Sequence, residues 1–513
     1  MSNFDFILKK EIFKTFAEAS VEAEKSTAIT NVSCAIMCRR ALELAVKWLY
    51  ANDQELIMPY QNNLSSLVYD INFRNMLDEN IFREITYIIK LGNFSVHSNK
   101  KVTRDEAVIC LKYLFDFMNW ISYCYDSNYE DVTFDETILP SLSSDNLKKE
   151  QREELENKLY EKDIELEKTL RENKELRNKL TTERTSKKES YNFKVDDISE
   201  FETRKRFIDL DLEIAGWEFG KNIVEELEVS NMTSTQEKGF VDYVLFGENG
   251  KPLAVVEAKR TSKDAKYGQQ QAKLYADCIE REYAQRPVIY YTNGKGIYMW
   301  DDLDYPERKV AGFYTQNELQ LLINRRKSKE NLEHIFIDDK ITNRPYQLEA
   351  IKNVCEAFEQ KHRKALLVMA TGTGKTRTAI SIVDVLTGKN WVQNVLFLAD
   401  RTELVKQAEK NFKKLLPDMS CCNLLSSKDG DPEDSRIVFS TYQTMINCID
   451  SVKAKNGNKL FTAGHFDLII IDEAHRSIYK KYQAIFDYFD GLLVSLTATH
   501  RSDVDKNTYK FLN

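Results

Sequence analysis

Glycine is nearly missing from the first 215 residues of this chain: of 17 glycines, only Gly92 precedes Gly216. A stretch with so little turn chemistry reads as helical. Long apolar runs are missing too, since none approaches the roughly 18 residues of a membrane-spanning helix. The opening MSNFDFILKKEIFKTF lacks the basic-then-apolar layout of a secretory signal. Nine cysteines include no CxxC pair, and Cys421 and Cys422 are adjacent. They read as reduced thiols of a cytosolic protein, with neither a zinc nor a disulfide framework. A positive balance is absent as well: 73 Lys and Arg against 81 Asp and Glu leave a net charge of -8. That excludes a basic coat over the whole chain, so any DNA contact must use a local basic groove.

What is present is enough apolar material for several cores, 42% of 513 residues. At about 150 residues per domain, three or four domains are expected. Apolar positions Ile36, Leu42, Leu44, Ala45 and Leu49 predict a helix over residues 30–50. A second, starting near Thr103 and running from about 104 to 124, carries Leu111, Leu114, Phe115, Phe117 and Met118. Residues 1–140 therefore read as an all-α domain, closed by Pro140 and the Ser-Leu-Ser-Ser after it. Residues 145–190 form a charged helical linker with no Gly or Pro over 145–188. There Leu155, Leu159, Leu166, Leu176 and Leu180 fit a heptad seam interrupted by Lys162, Thr169 and Asn173. A paired coiled coil and a single solvated helix both fit that pattern.

Beyond residue 195 the chain changes to mixed α/β. After a helical stretch at Glu202–Leu212, strands are predicted at Phe240–Phe246, Pro252–Ala258, Pro287–Thr292 and Gly296–Trp300. Asn293-Gly294 supplies a hairpin turn between the last two. The charged segment 318–340 reads as a helical connector between an α/β domain at 195–325 and another at 335–513. Apolar runs at Ala365–Met369, Val395–Leu398, Ile437–Phe439, Leu468–Ile471 and Leu492–Leu496 alternate with helical patterns, which means βαβ units and a parallel sheet.

The sharpest motif is ALLVMATGTGKTRTAI at residues 365–380. An apolar strand runs into Thr371-Gly372-Thr373-Gly374-Lys375-Thr376, and a helix follows. The glycines let backbone N–H groups curl around a phosphate at a helix N-terminus. Lys375 would reach the β/γ-phosphates of ATP, and the Thr376 hydroxyl would ligate Mg²⁺. About a hundred residues on, FDLIIIDEAH sets Asp472-Glu473-Ala474-His475 at the end of a buried strand. Asp472 would hold Mg²⁺ through water, and Glu473 would orient the attacking water.

These residues resemble superfamily 2 helicases of the DEAH class, and further pieces fall in that family's order. Arg344-Pro345-Tyr346-Gln347 is similar to its Q motif, which implies that Gln347 contacts adenine. Asp400-Arg401-Thr402-Glu403-Leu404 and Ser440-Thr441-Tyr442-Gln443 resemble the elements that touch the nucleic-acid backbone. Leu496-Thr497-Ala498-Thr499 resembles the one coupling hydrolysis to movement, with His500 where this group usually has proline. The resemblance implies a RecA-like P-loop domain over 335–513 with the second RecA-like domain absent, hence nucleotide binding without efficient hydrolysis or translocation.

A second constellation lies between 240 and 275. Asp242 falls on one predicted strand and Glu257-Ala258-Lys259 on the next, with Glu257 and Lys259 on one face by strand alternation. Two carboxylates and a lysine suit metal-assisted phosphodiester cleavage: Asp242 and Glu257 hold Mg²⁺, and Lys259 positions water or offsets charge. Alone, an E-x-K pair reads as an edge-strand ion pair without catalysis. With Gln271 and Tyr275 on the following helix it resembles the PD-(D/E)xK nucleases, specifically the N-terminal domain of type I restriction subunits. Glu202-Thr203-Arg204 and Ala215-Gly216-Trp217 look like that family's opening helix. Arg39-Arg40-Ala41-Leu42-Glu43 and Gly92–His97 resemble a helical domain often fused to such subunits, distantly like HEPN bundles. The Arg-x₄₋₆-His motif of HEPN RNases is missing, so His97 reads as a capping or packing residue.

The resemblance implies an ATP-dependent endonuclease and DNA translocase of a cytoplasmic restriction system. It would act on double-stranded DNA beside methylation and specificity subunits, with no membrane partner. Two alternatives stand: a helicase with a degenerate nuclease fold, perhaps acting on RNA, and a truncated, catalytically silent assembly module.

Overall fold

Thr103 marks the start of a helix as the composition predicts: its side chain accepts from the Glu106 N–H, and Glu106 accepts from the Thr103 N–H. The computed structural model describes residues 2–59, 62–97, 102–140, 174–187, 204–230, 238–260, 263–426, 431–451, 458–472 and 481–498. They fall into two compact units. One comprises Met1–Asp197, Lys205–Leu210 and Asp450–Lys459; the other comprises Ile198–Arg204, Asp211–Ile449 and Leu460–Asn513.

The first unit is helical. Its longer helices are α1 (Lys14–Lys25), α2 (Asn31–Asn52), α3 (Glu79–His97), α4 (Arg104–Tyr125) and α5 (Lys174–Lys187). Both helices predicted from apolar spacing form, α2 behind a Thr30 cap and α4 behind the Thr103 capping box. Trp48 centres the core, with the rings of Phe13, Phe16 and Tyr125 edge-on at 5.4–5.6 Å. Gly92 is explained by a close helix approach, since a Cβ there would stand 2.7 Å from the Cβ of Arg39. Most of the predicted heptad seam lies outside the described residues. Its C-terminal part, α5, is docked on this unit: Leu180 is buried, and the Arg184 guanidinium donates to Asp53 and Glu55 at 2.6 Å each. Asp53 is fully buried and also accepts from the Tyr125 hydroxyl at 2.7 Å. A buried fork of this kind fixes one docking geometry. The side chain of His97 lies outside the described residues.

The second unit holds two six-stranded sheets. The first is mixed, in sequential order β1 (Ile223–Ser230), β2 (Lys238–Phe246), β3 (Pro252–Ala258), β4 (Val288–Thr292), β5 (Ile297–Trp300) and β6 (Arg308–Val310). Only β3 and β4 pair in parallel, and α6 (Gln269–Tyr283) makes the crossover such a pair requires. Val244, Val255 and Ile289 pack under Ala272, Tyr275, Ala276 and Ile279 of that helix. Then α7 (Gln316–Ser328) begins at a second capping box, Thr315 with Glu318. The predicted connector helix over 318–340 ends at Ser328, and residues 329–344 run on without a helix.

The second sheet is wholly parallel, in the order β7 (Lys364–Val368), β12 (Leu492–Thr497), β11 (Leu468–Ile471), β8 (Val395–Ala399), β10 (Ile437–Thr441), β9 (Cys421–Asn423). Its helices include α8 (Pro345–Glu359), α9 (Lys375–Gly388), α10 (Thr402–Leu415) and α11 (Tyr442–Cys448). None of the nine cysteines is in a disulfide. No helix among the described residues is long and apolar enough to cross a membrane.

The two sheets meet over buried charge. Asp490, just before β12, accepts from the Tyr314 hydroxyl at 2.6 Å, Arg308 Nη2 at 2.7 Å and Arg363 Nη2 at 2.8 Å. Asp467, just before β11, takes both arms of Arg325 on α7 at 2.5 and 2.6 Å and accepts the Gln393 and Asn394 N–H groups. Burial pushes the Asp490 carboxyl up, but Arg308 and Arg363 outweigh it and hold the group below the ordinary carboxylate range. Its stabilisation is therefore complete above the unfolded value of about 3.9 and is lost as pH falls through the lower folded value. At neutral pH, Asp490→Ala takes this carboxylate from half-buried Arg308 and Arg363 and should cost about 1.5–3 kcal/mol, read as a lower midpoint in urea.

Candidate active sites

The ladder between β2 and β3 sets the geometry of the first site. Tyr243 pairs with Val256 in antiparallel register, which brings Asp242 opposite Glu257. Asp242 Oδ2 accepts from the Ala258 N–H at 2.7 Å, tying the two strands beside the carboxylates. Glu257 is 2% exposed and receives the Lys259 ammonium at 2.6 Å. The Lys259 N–H donates to the Thr292 carbonyl at 2.8 Å, so the end of β3 is held while its side chain faces the site. Burial raises the Asp242 carboxyl above its ordinary value, against the Ala258 N–H, Arg204 and Lys259, which draw it down.

The turn before α6 closes on the same carboxylates. A Cβ built on Gly268 would stand 3.2 Å from Glu257 Cγ and 3.5 Å from Lys259 Cγ, so the absence of a side chain permits the approach. One turn into α6, Gln271 Nε2 donates to the Tyr275 hydroxyl at 2.7 Å. Burial raises the Tyr275 phenol and the Glu257 and Asp242 charges add to it, against Gln271. All five expected residues, Asp242, Glu257, Lys259, Gln271 and Tyr275, thus bear on one locus. Along the adjoining turn Arg260, Lys263 and Lys266 are exposed, and Tyr267 is 73% exposed. Arg204 is the participant whose role the motif reading missed. Its guanidinium bridges Asp242 and Glu226 at 2.8 Å each. Of the expected opening-helix residues, Glu202 and Thr203 lie outside the described residues.

Among the described residues no three His, Cys, Asp or Glu side chains gather as a metal cage. Two hard carboxylates, each now balanced by a side-chain cation, still suit Mg²⁺, which keeps most of its waters and takes one or two protein oxygens.

The second locus is the carboxyl edge of the parallel sheet. Gly372 and Gly374 lie at φ 78° and 90°, turning the chain from β7 into α9 so that Lys375 and Thr376 open the helix. Thr371 and Gly372 are exposed on that turn, and Thr373 and Gly374 half-buried. Asp472 follows β11 on the same edge and is 8% exposed. Its N–H donates to the Leu398 carbonyl, and its carbonyl accepts from the Tyr442 hydroxyl at 3.1 Å. Glu473, Ala474 and His475 lie outside the described residues, as do Thr499 and His500. The ends of β8, β10 and β12 bring Asp400, Ser440-Thr441 and Thr497 to this edge too.

Gln347 is 2% exposed, and the NH₂ of its amide is engaged by the loop itself. Nε2 donates to the Thr373 carbonyl at 2.9 Å and the Gly374 carbonyl at 3.4 Å, while Oε1 accepts from the Thr342 hydroxyl. In this state the side chain braces the phosphate loop, where the family resemblance implied a base contact.

Three family models match the chain. Residues 123–308 match "Type I restriction enzyme R protein N terminus", and residues 340–502 match "Type III restriction enzyme, res subunit". Residues 21–163 match a domain of unknown function, DUF4145. The chain is like the R protein of type I restriction enzymes. It is 30% identical over 320 residues to the EcoAI endonuclease subunit of Escherichia coli, covering 56% of this chain and 37% of the relative. To the EcoKI endonuclease subunit of Escherichia coli it is 27% identical, covering 59% and 33%. This R-protein-like chain thus spans about a third of the length of those relatives. A solved fragment of an HsdR subunit from Vibrio vulnificus shares 25% identity over 61% of this chain and 58% of the fragment, with a TM-score of 0.26.

Two glycines give tests. Gly374→Ala would place a Cβ 2.4 Å from Gln347 Nε2 at a strained φ of 90°, and should abolish binding of a fluorescent ATP analogue. Gly268→Ala should lower DNA cleavage roughly tenfold by pressing on Glu257, with the melting temperature shifted by no more than a few degrees.

Proposed function

We propose that this chain is the nuclease and nucleotide-binding part of a type I restriction subunit, cleaving unmodified double-stranded DNA with Mg²⁺ and ATP beside methylation and specificity subunits. The observation that carries the reading is the meeting of Asp242, Glu257 and Lys259 under a helix bearing Gln271 and Tyr275, in one chain with a phosphate loop.

Asp242 and Glu257 would hold Mg²⁺, which when bound polarises the scissile phosphate and eases ionisation of water. Lys259, held at Glu257, positions that water and offsets charge on the phosphate as it develops. Gln271 and Tyr275 fix each other at the back of the site. Arg260, Lys263 and Lys266 give DNA the local basic surface that a chain of net charge -8 needs. At the second site the N–H groups of residues 371–376 would receive the ATP phosphates, Lys375 would balance their charge, and Thr376 and Asp472 would hold their Mg²⁺. Glu473 is the expected orienter of hydrolytic water. Gln347 keeps Thr373 and Gly374 in shape for the phosphates and is the expected reader of adenine.

The deciding assay is cleavage of long unmethylated circular DNA with Mg²⁺, ATP and the methylation and specificity subunits. Wild type should cut, and Asp242→Ala and Lys259→Ala should each lose at least about a hundredfold in rate. Equal cutting by wild type and both variants would remove the nuclease assignment.

A further inference from the structure

We propose that Arg204 is a resident counter-cation of the nuclease site, occupying Asp242 until a divalent metal displaces it onto Glu226. The proposal rests on the nuclease reading above and adds a threshold to it. Both oxygens of Asp242 are already engaged, Oδ2 by the Ala258 N–H at 2.7 Å and Oδ1 by Arg204 Nη1 at 2.8 Å. The Ala258 bond belongs to the strand ladder region and stays. A cation arriving at Asp242 therefore competes with the guanidinium for Oδ1.

Glu226 gives the displaced group somewhere to remain. It accepts the other arm of the fork, Nη2, at 2.8 Å, and its side chain is 65% exposed against 12% for Asp242. It stands on β1 at φ 51°, a left-handed conformation rare for a non-glycine residue in a strand. Arg204 thus bridges one closed and one open carboxylate, and of these two the closed one is the expected metal ligand. Lys259 plays a different part, because its partner Glu257 lies two residues away along the chain.

The test is isothermal calorimetry of Ca²⁺ and Mg²⁺ binding to the full chain without DNA, on wild type, Arg204→Gln, Glu226→Gln and the double variant. Arg204→Gln should bind about fivefold more tightly, since one competing charge near Asp242 is gone. Glu226→Gln should bind severalfold more weakly, because the guanidinium loses its exposed carboxylate and keeps Asp242. In the Arg204→Gln background the Glu226→Gln effect should vanish, which a plain change in local charge would not produce. Additive effects, or unchanged affinity in a folded Arg204→Gln chain, would overturn the counter-cation role. If Arg204→Gln does not fold, the exposed Glu226→Gln still decides: affinity equal to or above wild type overturns it. A wild-type chain whose divalent binding is untouched by Asp242→Asn would instead remove the nuclease reading itself.

Discussion

Asp490 is the point on which the larger unit turns. A carboxylate in the interior is costly unless cations and donors surround it, and here two arginines and a tyrosine hydroxyl do so. Arg308 comes from the last strand of the mixed sheet, Arg363 from the approach to β7, and Asp490 itself leads into β12. One buried anion therefore fixes the mixed sheet against the starting ends of the parallel strands. Asp467 repeats the device one strand over, with Arg325 as a fork. Both aspartates sit at the amino ends of β12 and β11, whose carboxyl ends carry Thr497 and Asp472. The nuclease-like and nucleotide-binding folds are thus joined by charge at the edge opposite the phosphate loop.

Much of this was legible in the sequence where one local rule sufficed. Strands β2 and β3 fall within two residues of the predicted bounds because apolar alternation and a Gly-Glu-Asn-Gly turn agree. The turn from β7 into α9 reads from glycines alone. What was missed needed partners distant in sequence. β1 (IVEELEVS), β6 and β9 are short or charge-rich edge strands, and neither alternation nor length separates them from loop. Arg204 binds Asp242 across 38 residues, and no spacing rule links them. The docking of α5 on Asp53 was hidden for the same reason: a charged helix with leucines has the composition of a solvated rod until a buried carboxylate receives its arginine.

Both candidate sites place a glycine where a functional side chain must be touched by backbone. Gly268 lies against Glu257 and Lys259, and Gly374 against Gln347. In each case a helix begins at the glycine, so its N–H groups and its partial positive end are brought close to where an anion would sit. Motif reading finds the second because its glycines are consecutive with the lysine. In the first, the five residues read from the sequence are spread over two strands and a helix, and the approach of Gly268 to them shows only in the fold.

The phosphate loop hangs from β7, and β7 borders the parallel sheet, pairing with β12 alone among the described strands. Its residues are exposed or half-buried, Val368 at 43%, while β8, β10, β11 and β12 are buried throughout. One row of backbone donors and acceptors on β7 therefore faces no other described strand, the arrangement to which a further strand adds. A polypeptide laid along that border would lengthen the ladder and clamp the strand from which the glycine turn into α9 is suspended.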